Sequence, residues 1–137
     1  MQNVKQYKLD RLKQAEKLNP DQRMMRILGS LQKLLQLKEM PLHIECFDNS
    51  NLSGSNAVAA CVVFRKAKPC KKEYRRFTIK TVDGVDDYAS MKEVVRRRYL
   101  RMQEENTSFP NLIIADGGVR QMEAIRQIVE DELHLNI

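Results

Sequence analysis

A chain of 137 residues is long enough to bury one real core and too short for two full domains. Its 24 Lys and Arg against 18 Asp and Glu leave a net charge of +6, which suits an anionic partner, nucleic acid before membrane, although a generally basic soluble surface fits the same count. Three cysteines without CxxC spacing speak against a disulfide scaffold, and no apolar run approaches the roughly 20 residues of a membrane span. The N-terminus is too polar for a signal peptide, so the expectation is a cytoplasmic protein with no membrane partner.

In chain order, Val4, Tyr7, Leu9, Leu12, Ala15 and Leu18 recur at loose helical spacing and predict a first helix over residues 4–18. Asn19-Pro20 stops it and starts a second, with Asn19 as N-cap, Pro20 at the first helical position and Gln22 completing a box-like pattern. Met24, Ile27, Leu28, Leu31, Leu34 and Leu35 then follow the i, i+3, i+4, i+7 rule, which predicts an amphipathic helix over residues 20–38. Its stripe is a packing face or, as the minority reading, a partner-binding one. Pro41 closes the segment, so residues 1–40 form a helical lead-in separable from residues 41–137.

The second part opens on an apolar run from Leu42 that ends at Asp48, followed by Asn49, Ser50, Asn51, Ser53 and Gly54. Such a run, bounded by Pro41 and turn chemistry, predicts a buried strand. Ala57–Phe64 is almost wholly apolar and predicts a central strand; Arg65–Lys72 is a basic turn around Pro69; Glu73–Lys80 is a third strand, completing an antiparallel meander. Asp83-Gly84 marks a turn. From Asp86 the period changes: Tyr88, Met91, Val94, Val95, Tyr99 and Met102 make a helical stripe through about residue 104, with Lys92, Arg96, Arg97 and Arg101 opposite. A loop leads to the strand Leu112–Ala115, then Asp116-Gly117-Gly118, and a last helix from Val119 carries Met122, Ile125, Ile128, Val129 and Leu133 on its face.

A helix between the third and fourth strands allows the fourth to lie parallel to the first. Asp48 and Asp116 then end neighbouring strands. Two such carboxylates meet the basic requirement of a Mg²⁺ or Mn²⁺ site, whose ion takes oxygen ligands and shares its shell with substrate phosphates. Gly117 and Gly118 allow close backbone approach. The same positions also fit a plain turn residue and a helix N-cap, and spacing alone leaves both readings open.

The blocks IECFDNSNLSG, YRRFTIK, DDYASM, EVVRRRY and LIIADGG, in that order, resemble the C-terminal endonuclease domain of the UvrC family of bacterial nucleotide-excision-repair proteins. The resemblance covers roughly residues 40–131 and implies an α/β, RNase H-like mixed sheet of order β-β-β-α-β-α. It implies a divalent-metal-dependent DNA endonuclease that makes the incision 5′ to a lesion after the damage-recognition protein UvrB is loaded. Catalytic, metal-binding aspartates fall at Asp48 and Asp116, with Mg²⁺ or Mn²⁺ as cofactor. After the second aspartate the family runs Gly-Gly-Lys-Gly-Gln, whereas this chain has Gly117, Gly118, Val119, Arg120 and Gln121, so the local backbone or the DNA contact is expected to differ. The resemblance also implies a third catalytic residue, a histidine beyond a fifth strand that follows the last helix. Neither His43 nor His134 fits that place. The chain is therefore expected to be a fragment with two of three catalytic groups and four of five strands, inactive on its own.

Damaged double-stranded DNA is the expected partner, and UvrB in the full-length protein. Seven basic residues lie in Arg65–Arg76 and five in Lys92–Arg101. Such runs give salt-dependent, sequence-independent affinity for phosphates or are simply solvated faces. Arg75 and Arg76 on a strand, Arg97 and Arg98 on a helix, and Arg120 after the Gly-Gly pair are the DNA-binding candidates. Tyr88 reads as core or supporting residue before base-stacking group. The alternatives to the nuclease are a DNA- or protein-binding module without catalysis, and another RNase H-like nuclease acting on junctions or hybrids.

Overall fold

Strand alternation decides which face of this protein is packed and which is left for chemistry. In the computed structural model, which describes residues 8, 10, 11, 14, 19–52, 56–80 and 86–137, the chain divides into Met1–Pro41 and Leu42–Ile137. The predicted helix over residues 4–18 lies mostly outside the described residues, as does the Asp83-Gly84 turn.

In the first unit, α1 spans Pro20–Leu34 and the Asn19 side chain accepts from Gln22 N, the N-cap expected from Asn19-Pro20. The helix ends four residues sooner than the periodicity suggests. Gln36 takes a left-handed φ of +55°, Leu37 N donates to Gln32 O, and Gln36 N donates to Lys33 O. This is a Schellman stop, built here on glutamine where glycine is the usual signal. Of the stripe, Leu28 alone is buried; Ile27, Leu34 and Leu35 are exposed.

The second unit is built on β1 (His43–Leu52), β2 (Asn56–Arg65), β3 (Lys68–Pro69), β4 (Arg75–Thr78) and β5 (Leu112–Asp116). β1 pairs antiparallel with β2 and parallel with β5, while β3 and β4 pair antiparallel with β2. The parallel pair is made possible by the crossover through α2 (Asp87–Glu104). The order β-β-β-α-β-α thus holds, with three corrections. The first strand does not end at Asp48: residues 49–52, whose residue types suggest a turn, continue the antiparallel ladder against residues 56–59. The third predicted strand is shorter, because Glu73 belongs to a 3₁₀ turn over Lys71–Glu73 and pairing with β2 begins at Arg75. The basic turn is a tight hairpin, with Lys66 at φ +52° and Ala67 at φ +65° and β3 paired beyond it. That two-residue strand brings the sheet to five; it is not the strand expected after the last helix.

One face of the sheet is packed. Phe47 on β1 and Ala59, Cys61 and Val63 on β2 are fully buried with Met91, Val94, Val95 and Tyr99 of α2. α3 (Val119–Arg126) and the π-helical turn Gln127–Glu132 complete the layer through Ala124, Ile125, Ile128 and Val129. Met122, placed on this face by its spacing, is exposed instead. The alternate residues Cys46, Asp48, Val58, Ala60 and Val62 point to the other face and are half-buried or exposed.

Candidate metal centre

Strand pairing puts residues from distant parts of the chain into rows on that second face. Asp48 is paired with Asp116 on β5 and with Ala60 on β2, and Ala60 with Arg76 on β4. Directly paired residues project to the same side. One row therefore reads Arg76, Ala60, Asp48, Asp116. Asp48 and Asp116 stand one strand spacing apart, about 5 Å between backbones, and both are exposed. Neither has an ion pair among the described residues. Cys46, one pleat below, has its thiol pKa pushed up by burial and then by the charges of Asp116 and Asp48, as expected where both carboxylates converge. A cavity of about 440 Å³ opens on the Asp48 side of the pair, lined by Asp48, Val58, Ala60, Val62, Arg75 and Arg76 among others.

The backbone on either side is held for this geometry. Gly117 adopts φ +150°, a conformation L side chains rarely adopt, and a Cβ there would meet Gln121 Cδ at 2.9 Å. Gln121 Oε1 accepts from Gly118 N at 2.9 Å and so caps α3 directly after Asp116. Next to Asp48, Asn49 Nδ2 donates to Asp87 O at 3.0 Å and ties β1 to the start of α2. The Asp86 side chain caps that helix through Ala89 N. Two neighbouring carboxylates with no neutralising cation fit a hard divalent ion that keeps several waters. Among the described residues no group of three or more His, Cys, Asp or Glu is placed to hold a metal.

The five arginines proposed to meet DNA part company. Arg76 shares the aspartate row. Arg75 faces the other way and donates to Lys72 O and Tyr74 O. Arg97 donates to Thr78 O at 2.8 Å and to Glu93, and lies over the Phe77 ring. Arg120 and Lys92 both lie over Tyr88, which is half-buried. Arg98 departs furthest from expectation: its side chain is 11% exposed and grips Glu45 with Nε at 2.8 Å and Nη2 at 2.6 Å. The requirement to neutralise a buried acid explains that position.

Glu45 is a residue the pattern did not single out. It is fully buried and also accepts from Tyr99 Oη at 2.9 Å, while His43 Nε2 lies 2.9 Å away. Burial opposes its charge, but hydrogen bonds from Arg98, His43 and Tyr99 win and hold its pKa at about 2. The Cys61 thiol beside it is pushed up to about 12 by burial and then by Glu45. An acid between Ile44 and Cys46 was the available signal. His134, at φ +54°, sits where the last helical turn ends.

The family described as UvrC RNase H endonuclease domain matches residues 32–137. The chain belongs to that family. It is 70% identical over 135 residues to the UvrABC system protein C of Bacteroides thetaiotaomicron, covering 98% of this chain and 22% of that protein. With the protein of the same name from Porphyromonas gingivalis it shares 55% over 128 residues, 93% of this chain and 21% of the relative. With that of Flavobacterium psychrophilum the figure is 52% over 135 residues, 98% and 22%. This UvrC-family chain thus spans about a fifth of the length of the curated relatives it matches. Its mixed sheet and flanking helices are an RNase H-like arrangement. Among the described residues no helix is long and apolar enough to cross a membrane.

Proposed function

We propose that this segment is the nuclease centre of a cytoplasmic excision-repair protein, in which Asp48 and Asp116 hold Mg²⁺ or Mn²⁺ against a DNA phosphodiester 5′ to a lesion. The observation that carries the reading is the direct pairing of Asp48 with Asp116 on parallel strands. A divalent ion bound there supplies an activated water and charge stabilisation at the leaving oxygen. The chain's own residues position that chemistry. The two carboxylates take the ion, Gly117 keeps the turn after Asp116 tight, and Asn49 ties the part of β1 that carries Asp48 to the start of α2. Damaged duplex DNA is the substrate, and UvrB is the partner of the longer protein of which this is a segment.

The test is incision of an end-labelled lesion duplex by the full-length protein carrying this segment, supplied with UvrB. Asp48→Asn and Asp116→Asn should each reduce 5′ incision to background while leaving lesion binding in place. Normal 5′ incision by either variant overturns the reading. A second reading, a module that binds DNA without cutting it, draws on the pair of carboxylates having no third metal-holding partner among the described residues. For the isolated chain it predicts steeply salt-dependent DNA binding without nicking.

A further inference from the structure

Leu42–Ile137 contains nine arginines. Six are ion-paired to carboxylates of the same unit, Arg75 is turned onto backbone carbonyls and Arg120 lies over Tyr88. Arg76 is exposed and makes no ion pair or hydrogen bond among the described residues. It is also the arginine that strand register places in the row of Asp48 and Asp116. Two strand spacings, about 10 Å, separate its backbone from that of Asp48, too far for a direct ion pair and within reach of one ligand held by both. Between them stands Ala60, whose methyl leaves the row open, while Val58 and Val62 close the flanking rows on β2. The cavity lined by Asp48, Ala60 and Arg76 is the resulting opening; Arg75 also borders it, but its guanidinium is turned onto Lys72 O and Tyr74 O.

We propose that Arg76 is the phosphate-positioning residue of this site, binding a phosphodiester of the DNA strand on the β4 side of the carboxylate pair. The proposal rests on the reading of Asp48 and Asp116 as the place where DNA is engaged. A guanidinium suits the task because its fork donates two parallel hydrogen bonds to phosphate oxygens. Its strand is anchored for the purpose. Arg97 bonds Thr78 O and covers Phe77, and Glu93 accepts from Lys80 N at 2.9 Å, so α2 clamps β4 from the packed side. The register separates Arg76 from Arg75, which the chemistry of two adjacent arginines cannot do.

The experiment titrates a fluorescent DNA duplex with the 137-residue chain in Mn²⁺ over a range of salt, alongside Mn²⁺ binding to the protein alone. Arg76→Gln should weaken DNA binding about tenfold and lower the slope of log affinity against log salt by about 1. Arg76→Lys should keep the slope and lose part of the affinity, since it retains charge without the fork. Arg75→Gln should stay within about twofold of the parent, and all three should bind Mn²⁺ as the parent does. An Arg76→Gln chain with parental affinity and slope, or an Arg75→Gln chain as weak as it, overturns the proposal and leaves the aspartate reading standing. Mn²⁺ binding that survives Asp48→Asn unchanged overturns the aspartate reading itself.

Discussion

Glu45 is the residue on which the packed face depends most. A buried carboxylate is tolerated only when its charge is matched and its lone pairs are filled, and Arg98, Tyr99 and His43 do both. Glu45→Ala leaves Arg98 buried without a counter-charge and should cost about 3–5 kcal/mol in urea denaturation. The pH dependence follows from the direction of the shift. The folded-state pKa, about 2, lies below the ordinary 4.5, so the stabilisation is fully present above the ordinary value and is lost as pH falls toward 2. Parent stability should therefore drop between about pH 5 and pH 2 by more than that of Glu45→Gln. The two candidate aspartates were legible in the sequence because each closes an apolar run, although β1 itself continues past Asp48 to Leu52. Glu45 was not, because an acid inside a strand reads as a solvent-facing position and its partner Arg98 lies 53 residues away. Arg98 was misread for the same reason, as one more cation in a basic run.

At the scale of elements, the helices and strands followed from periodicity, as did the end of α2 at Glu104, whereas the ends of α1, β1 and the third predicted strand did not. Helix starts carry a chemical signature: Asn19 is the N-cap that Asn19-Pro20 predicts, and Asp86, where the period changes, caps α2. Helix ends at Gln36 and Asn106 rest on left-handed residues at φ +55° and +54°. Asparagine tolerates that conformation and glutamine gives no such hint. The Lys66-Ala67 hairpin is hidden likewise, since neither residue belongs to the usual turn set. Gly117 is the position where an element end meets the site. Gly117→Ala should destabilise the chain by about 1–2 kcal/mol through its φ, displace the Gln121 cap and weaken Mn²⁺ binding. Gly118→Ala meets Gln121 Oε1 at 3.6 Å, an ordinary contact, and should change Mn²⁺ binding little. Thermal unfolding and Mn²⁺ titration of the two variants check the contrast.

For the whole molecule, the crossover through α2 is what brings the two candidate metal ligands together. Asp48 and Asp116 come from strands that the chain order separates by three further strands and a helix, and parallel pairing of β1 with β5 brings them into one row. The topology was inferable from the order of elements; the residue-by-residue register, which selects Arg76 and excludes Arg75, needed the three-dimensional pairing. We propose that the two aspartates form one divalent-cation site. The most direct measurement is a Mn²⁺ titration of the parent chain, Asp48→Asn, Asp116→Asn and the double variant, followed by the loss of free-ion EPR signal. Each single variant should lose most of the binding, and the double variant should lose little more than either one. Parental Mn²⁺ affinity in both single variants, or losses that simply add, would contradict a shared site.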